Sequence, residues 1–357
     1  FANFGFAESH ALSFALLVYA SSWLKLHYPG AFLASLLRAQ PMGFYSPATL
    51  IADARRHGVE VRRPDVQTSG ADAGLEPLGG SRYDSAPPNH STSAHCLTRD
   101  QPPVLPFDPT APFSTDDHRR DAGLAVRLGL ASVRGISGVV AERIVAERKQ
   151  HGPYRDMADL ARRAGLTTPQ LESLAAAGAF ACFGLSTRQA LWAAGSAAQN
   201  RPEYLAGTTT TVQPPLFALP TEAERLVADM WATGVSTDDH PIRHVRELLT
   251  ARGALSADDL VTAEVGRRIE VGGLVIHRQR PSTASGITFV NLEDETGLIN
   301  VVCSPGLWKR YRPIARESSA LVVRGTLERS PEGVTNVVAD RVEPLPVVAS
   351  TRSRDFQ

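Results

Sequence analysis

Apolar and polar positions follow different periods in different parts of this chain, and the changes of period divide it into pieces. Near the start, Leu12, Leu16, Tyr19, Trp23 and Leu26 recur at helical spacing, with Ser9 placed to cap the helix. Residues 11–26 are apolar on almost every side but contain Ser13, Ser21, Ser22 and Lys25. They fall short of the roughly 20 apolar residues that span a bilayer, so they read as a buried core helix. Pro29 and Gly30 punctuate, and Phe32, Leu33, Leu36 and Leu37 mark a second helix. A third begins with Ser46 as cap and Pro47 in the first turn, and ends at His57 and Gly58. Val59, Glu60 and Val61 then alternate as a strand.

Past residue 66 the period disappears under Gly, Ser, Pro, Asp and His, and returns at Leu124. Residues 67–122 therefore read as a low-complexity surface insertion. Residues 125–128 predict a short strand, 139–149 a strong helix, 157–164 another, and Thr168 with Pro169 opens one more that runs to Gly178. Gly, Thr and Pro then dominate 195–222, as in a linker, with helices predicted over 221–232 and 241–252. The last region switches to period two, with strands at 269–276, 287–292, 298–303, 320–328 and 334–342. A helical Leu307–Tyr311 segment separates the third from the fourth. Three strands, a helix and two strands is the order of an OB-fold. The expected architecture is thus α+β and multidomain. A helical unit covers 1–66, the insertion 67–122, a helix-hairpin-helix domain 123–200, connecting helices and linker 201–264, an OB barrel 265–347 and a tail 348–357.

Composition narrows the function classes. The 357 residues carry 37 basic and 37 acidic side chains, which excludes a polycationic tail but leaves room for a local basic footprint. Cys96, Cys182 and Cys303 lie far apart, without zinc-type spacing, so neither a metal site nor a disulfide framework is expected, and a reducing cytoplasm fits. No signal sequence or membrane anchor is expected, and the start at Phe1 suggests a piece of something longer. Lysine stands only at 25, 149 and 309, so arginine supplies nearly all positive charge, as GC-rich coding does.

Three constellations point to nucleic acid. The first is Arg134-Gly135-Ile136-Ser137-Gly138, two glycines in a tight hairpin followed by a helix whose N-terminal N–H groups face it. Arg143, Arg148 and Lys149 follow, and residues 124–163 hold eight basic against four acidic side chains. Phosphate contact without base reading is the expected use, and an ordinary glycine turn is the alternative. Residues 157–180 read first as a helical pair packing against the hairpin, with a degenerate second copy of it as the alternative, and Leu171, Leu174, Ala175 and Phe180 read as core. The second constellation is the basic, aromatic OB region, with Arg278, Arg280, Phe289, Lys309 and Arg310 as candidate contacts to a single strand. Trp308 and Tyr311 serve equally well as stacking platforms or as core. The third is Gln213-Pro214-Pro215-Leu216-Phe217, a short extended segment in the linker suited to an apolar pocket. His240 and His244 stand four apart without a metal motif and read as a satisfied surface pair. No phosphate-binding G-x-x-x-x-G-K-[ST] loop and no ligase-type lysine motif is present.

The segments Phe4 to Ala11, Leu24 to Pro29, Ala54 to Val61, Leu128 to Gly135, Leu171 to Leu174, Gly178 to Phe180, Gly234 to Ser236, His240-Pro241 and Phe289 to Gly297 resemble, in consistent order, the C-terminal part of bacterial C-family DNA polymerases. Glu8 and the run Gln40 to Pro47 resemble the error-prone branch. The resemblance implies a fingers-domain end over 1–66, with Ser9 and His10 on the nucleotide side. It implies DNA as partner, both primer–template duplex and single-stranded template. It also implies a sliding clamp reached through Gln213, Leu216 and Phe217, and translesion accessory proteins. No cofactor is expected in this chain. Magnesium and the catalytic carboxylates would belong to a palm domain preceding Phe1. A non-catalytic DNA-binding protein of helix-hairpin-helix and OB modules is the alternative, and it has no need of a fingers-like start.

Overall fold

The structure is a computed structural model that describes residues 8–43, 45–79, 118–199, 220–331 and 333–349. It opens with α1 (Glu8–His27), α2 (Pro29–Arg38) and α3 (Pro47–Arg56). Ser46 caps α3 by accepting the Thr49 N–H at 3.2 Å, with Pro47 in the first turn, as its sequence predicts. The N-terminus of α2 is capped from a distance. The Asp121 carboxylate accepts the Gly30 and Ala31 N–H groups at 2.7 and 3.1 Å, and a Cβ on Gly30 would sit 2.9 Å from that oxygen. Asp121 leads into β3 (Leu124–Arg127), which pairs in parallel with β1 (Val61–Arg62) and antiparallel with β2 (Gly74–Pro77). Glu76 accepts from both Arg62 and Arg127 across this sheet. The low-complexity insertion expected over 67–122 is therefore corrected at both ends. Leu75 and Glu76 alternate in a strand whose partner lies beyond the insertion, and the short polar stretch hid it.

α1 departs from its expectation in a different way. It is helical, but it is not a buried core helix: Leu12 and Tyr19 are 74% and 71% exposed, and Phe14, Leu16, Leu17 and Val18 are exposed as well. Ser9 lies within the helix, where its carbonyl accepts the Ser13 hydroxyl, so it is not the cap. A helix apolar on all sides needs a cover, and within the described residues α1 has its contacts toward its C-terminal end, with α2, with the 118–120 segment and with α3, where the Lys25 ammonium lies 2.8 Å from Asp53.

The second body is helical: α4 (Gly138–His151), α5 (Met157–Ala164), α6 (Thr168–Ala176), α7 (Thr187–Ala198) and α8 (Glu222–Thr233). Its core is built from Leu130, Ile144, Leu160, Leu171, Leu174 and Phe180, and α8 enters it through Ala232. Arg63 holds α8 by a forked pair to the buried Asp229 at 2.7 and 2.8 Å. α9 (Arg246–Ala251) and the short α10 (Asp259–Thr262) lead to the barrel of β4 (Arg268–Gln279), β5 (Thr288–Glu293), β6 (Leu298–Cys303), α11 (Pro305–Glu317), β7 (Ala320–Arg329) and β8 (Thr335–Pro344). The strands close in the order β4-β5-β6-β8-β7, with β7 returning to β4, which is the OB arrangement. Val271, Val275, Leu292, Val301, Val323 and Val337 fill the barrel.

The turn after β5 fastens the barrel to the rest. Asp294, fully buried, accepts the N–H groups of Thr296, Gly297 and Ala257 at 2.8, 2.9 and 2.9 Å. Arg246 forks between Asp294 at 2.9 Å and Glu295 at 2.6 and 2.8 Å. Glu293 reaches α3, where Thr49 donates its hydroxyl at 3.3 Å and Arg56 stands 3.6 Å away. Burial pushes the Glu293 carboxyl up to about 7, against the pull of Arg56 and Thr49.

Candidate nucleic-acid interface

The hairpin is built by a turn that only glycine closes without strain. The Ile136 N–H donates to the Val133 carbonyl at 3.0 Å, and Gly135 takes φ +78° as the third residue of that turn. Ile136 is 4% exposed, so its side chain anchors the hairpin in the core and offers only main chain outward. Ser137 accepts the Val140 N–H at 3.3 Å and caps α4. Gly138 faces open space, and among the described residues no acceptor takes the Gly138 and Val139 N–H groups. Those donors, at the positive end of a fourteen-residue helix, suit a phosphate oxygen. Arg134 and Arg143 are exposed near them, and Lys149 is exposed at the far end of the same helix. Arg134 and Arg143 have no carboxylate partner among the described residues.

Two of the arginines expected at the interface are turned inward. Arg148 lies on the buried side of α4, beside Ile144, and donates to the Val66 and Ser69 carbonyls at 2.6 and 2.8 Å. Burial lowers its pKa. Arg278 is 5% exposed and donates to the Ala315 and Ser318 carbonyls, both at 2.6 Å, which closes the C-terminal end of α11. Both serve the fold, because a guanidinium on a buried stripe satisfies carbonyls that water cannot reach. Ile136 is corrected likewise: its side chain is core.

The second helix pair, α5 and α6, turns through Gly165 in the left-handed region at φ +59°. Its arginines are already engaged: Arg162 and Arg163 pair with Asp159, and Arg163 also stacks on Tyr154 at 4.4 Å. On the barrel, Arg280, Lys309 and Arg310 are exposed and Phe289 is half-buried on the outer face of β5. Trp308 and Tyr311 pack against the barrel core through the inner side of α11. Ser9 and His10 are exposed near the start of α1, with the His10 ring 4.4 Å from Phe14. Gln213, Leu216 and Phe217 lie outside the described residues. His240 is neutral, its pKa pushed by burial to about 4, and its Nδ1 accepts the Ile242 N–H. His244 pairs with Asp239. Among the described residues no group of three or more His, Cys, Asp or Glu side chains is placed to hold a metal ion, and no helix is long and apolar enough to cross a membrane.

Comparison with known proteins agrees with this geometry. The family model described as a helix-hairpin-helix motif matches residues 58–190, and one described as an OB-fold nucleic acid binding domain matches residues 269–345. An error-prone DNA polymerase of Cutibacterium acnes is 53% identical over the full length of this chain. The chain is a homologue of error-prone DNA polymerases. Those of Mycobacterium tuberculosis and Nocardia farcinica are each 46% identical, again over the whole chain. The chain spans 31% of the Cutibacterium polymerase and 28% of the other two, in their C-terminal part. Among solved structures, an asparaginyl-tRNA synthetase from Pyrococcus horikoshii aligns over 28% of this chain and 24% of its own, at 17% identity and a TM-score of 0.23, a likeness too slight to inform function.

Proposed function

We propose that this chain is the DNA-holding C-terminal part of an error-prone DNA polymerase, gripping primer–template while nucleotidyl transfer takes place on residues outside 1–357. The observation that carries this reading is an identity of 53% to such a polymerase in an alignment that covers the whole chain, the fingers-like start included. A stand-alone binder of helix-hairpin-helix and OB modules has no use for α1, whose exposed apolar side chains suit a cover from the remainder of a longer polymerase. Magnesium and its carboxylates would belong to that remainder.

In this reading the duplex backbone meets the Gly138 and Val139 N–H groups with Arg134 and Arg143 beside them, and the barrel holds single-stranded template through Arg280, Lys309, Arg310 and Phe289. The segment Gln213–Phe217 would contact a sliding clamp, with translesion accessory proteins as further partners and the cytoplasm as the compartment. The test is duplex binding by the full chain, measured by fluorescence anisotropy from about 50 to 200 mM salt. Affinity should fall steeply with salt, and R134A with R143A together should lower the slope of log affinity against log salt by about two. An unchanged slope in the double variant would show that the hairpin is only structural. Primer extension by the purified chain alone would refute the division of labour.

A further inference from the structure

We propose that Trp231 is a positioning residue for DNA binding: its ring holds the Arg134 guanidinium in place beside the hairpin. The inference rests on the reading of the hairpin as a phosphate site. Its own observation is a contact that joins two segments far apart in the sequence. The Arg134 guanidinium carbon lies 5.2 Å from the centre of the Trp231 ring, within the range of a cation–π contact. The main chain beneath is tied as well, because the Arg134 N–H donates to the Ala232 carbonyl at 2.7 Å. Ala232 is fully buried in the helical core. On the same helix Asp229 is held by Arg63. With these two side chains turned inward, α8 cannot roll, and Trp231 is presented at the surface, 49% exposed, next to the turn at Gly135.

This explains two features together. A large aromatic is left half in water on α8. An arginine beside a DNA-facing turn has no carboxylate partner among the described residues. A carboxylate partner would have neutralised Arg134 and had to be displaced by a phosphate. An aromatic face restricts the side chain but leaves its charge and its outer N–H groups available. Held this way, the arginine loses less conformational freedom when it meets the backbone, which improves affinity without adding a phosphate contact. α8 thereby becomes a third element of the hairpin.

The salt slope separates positioning from contact. R134A removes a phosphate contact, so both affinity and slope fall. W231L keeps an apolar side chain but removes the ring face; W231F keeps a ring. We expect W231L to bind duplex roughly two- to five-fold more weakly than wild type, with the wild-type slope. W231F should stay near wild type, and R134A/W231L should be no weaker than R134A. Circular dichroism melts confirm that the variants fold, and W231F keeps the test decisive if W231L melts early. R134A weakened with W231L at wild-type affinity overturns the positioning role alone. A W231L loss that adds in full to that of R134A also overturns it, since the ring would then act on DNA directly. Wild-type affinity in R134A overturns the hairpin reading itself.

Discussion

Glutamine at position 293 isolates the cost of a carboxylate enclosed between the barrel and α3. Glu293 is almost completely buried, and its Oε1 has no hydrogen-bond donor: Arg56 approaches it only to 3.6 Å, beyond a direct hydrogen bond. Desolvation therefore outweighs the attraction and moves the carboxyl from an ordinary 4.5 to about 7. The sign follows from proton binding. Between those two values the folded chain holds a proton that the unfolded chain has lost, so stability falls as pH rises. Below 4.5 both states are protonated and the group contributes nothing. Above about 7 both are ionised and the full penalty is felt. At about 1.36 kcal/mol per pH unit, the interval corresponds to about 3 kcal/mol. E293Q is neutral throughout, and its amide oxygen can still accept from Thr49. It should match wild type near pH 4 and exceed it by about 3 kcal/mol at pH 8, a figure that already includes the attraction of Arg56. Urea unfolding of both chains across that range, followed by tryptophan fluorescence, reads the difference and cancels every other titrating group. An E293Q chain less stable than wild type by the same amount at all pH values would refute the reasoning, because it would mean that Arg56 keeps Glu293 ionised.

R278A and R148A should each destabilise the chain by roughly 2 kcal/mol, since buried carbonyls lose a charged donor. Neither should change the salt slope of DNA binding, which distinguishes them from R134A in a single titration. S137A should cost about 1 kcal/mol through loss of the α4 cap, and G135A roughly 1–2 kcal/mol through a side chain at φ +78°; thermal melts measure both. K309Q with R310Q should weaken single-stranded oligonucleotide binding and lower its salt slope while leaving the melting temperature unchanged, and an unchanged slope would remove α11 from the interface.

Periodicity read the barrel well because each strand carries its own two-residue alternation, and β6 spans 298–303 as the pattern predicts. The same was true of α3, whose Ser46, Pro47 and Gly58 signals are local. Legibility failed where the deciding partner is distant. β2 is four residues long, and what makes it a strand is β3, across the insertion. Asp121 looks like one more polar residue of that insertion until it is seen to accept the first N–H groups of α2. α1 was legible as a helix, but its stripe of Leu12, Leu16 and Tyr19 says only that something apolar faces it, not that the covering surface lies among these residues. α7 extends to Ala198, past the point where Gly195 and its small neighbours suggested a linker.

The arginines show how much of the site could have been read. Counted by residue type, Arg134, Arg143, Arg148, Arg278 and Arg280 are equivalent, and the basic clusters around the hairpin and on the OB region assign them all to DNA. Position on the element separates two of them. In α4 the buried Ala141 and Ile144, the half-buried Val145 and Arg148 fall at helical i, i+3, i+4 and i+7 spacing, so Arg148 sits on the core stripe and needed a buried acceptor. That inference was available from the sequence, and Arg143, on the opposite face, passes the same test as an exposed cation. Arg278 was not recoverable in this way. Val271 and Val275 point into the barrel, so an unbroken alternation sends residue 278 outward. The register shifts between Val275 and His277, and a bulge reverses which side each later residue faces. Past it Arg278 points inward, toward the end of α11, while Arg280, beyond the strand, is exposed. The charge was visible in the sequence, but the side of the sheet depended on one inserted residue. That is why a basic patch on a β-domain should be assigned to DNA only after its strand register is known.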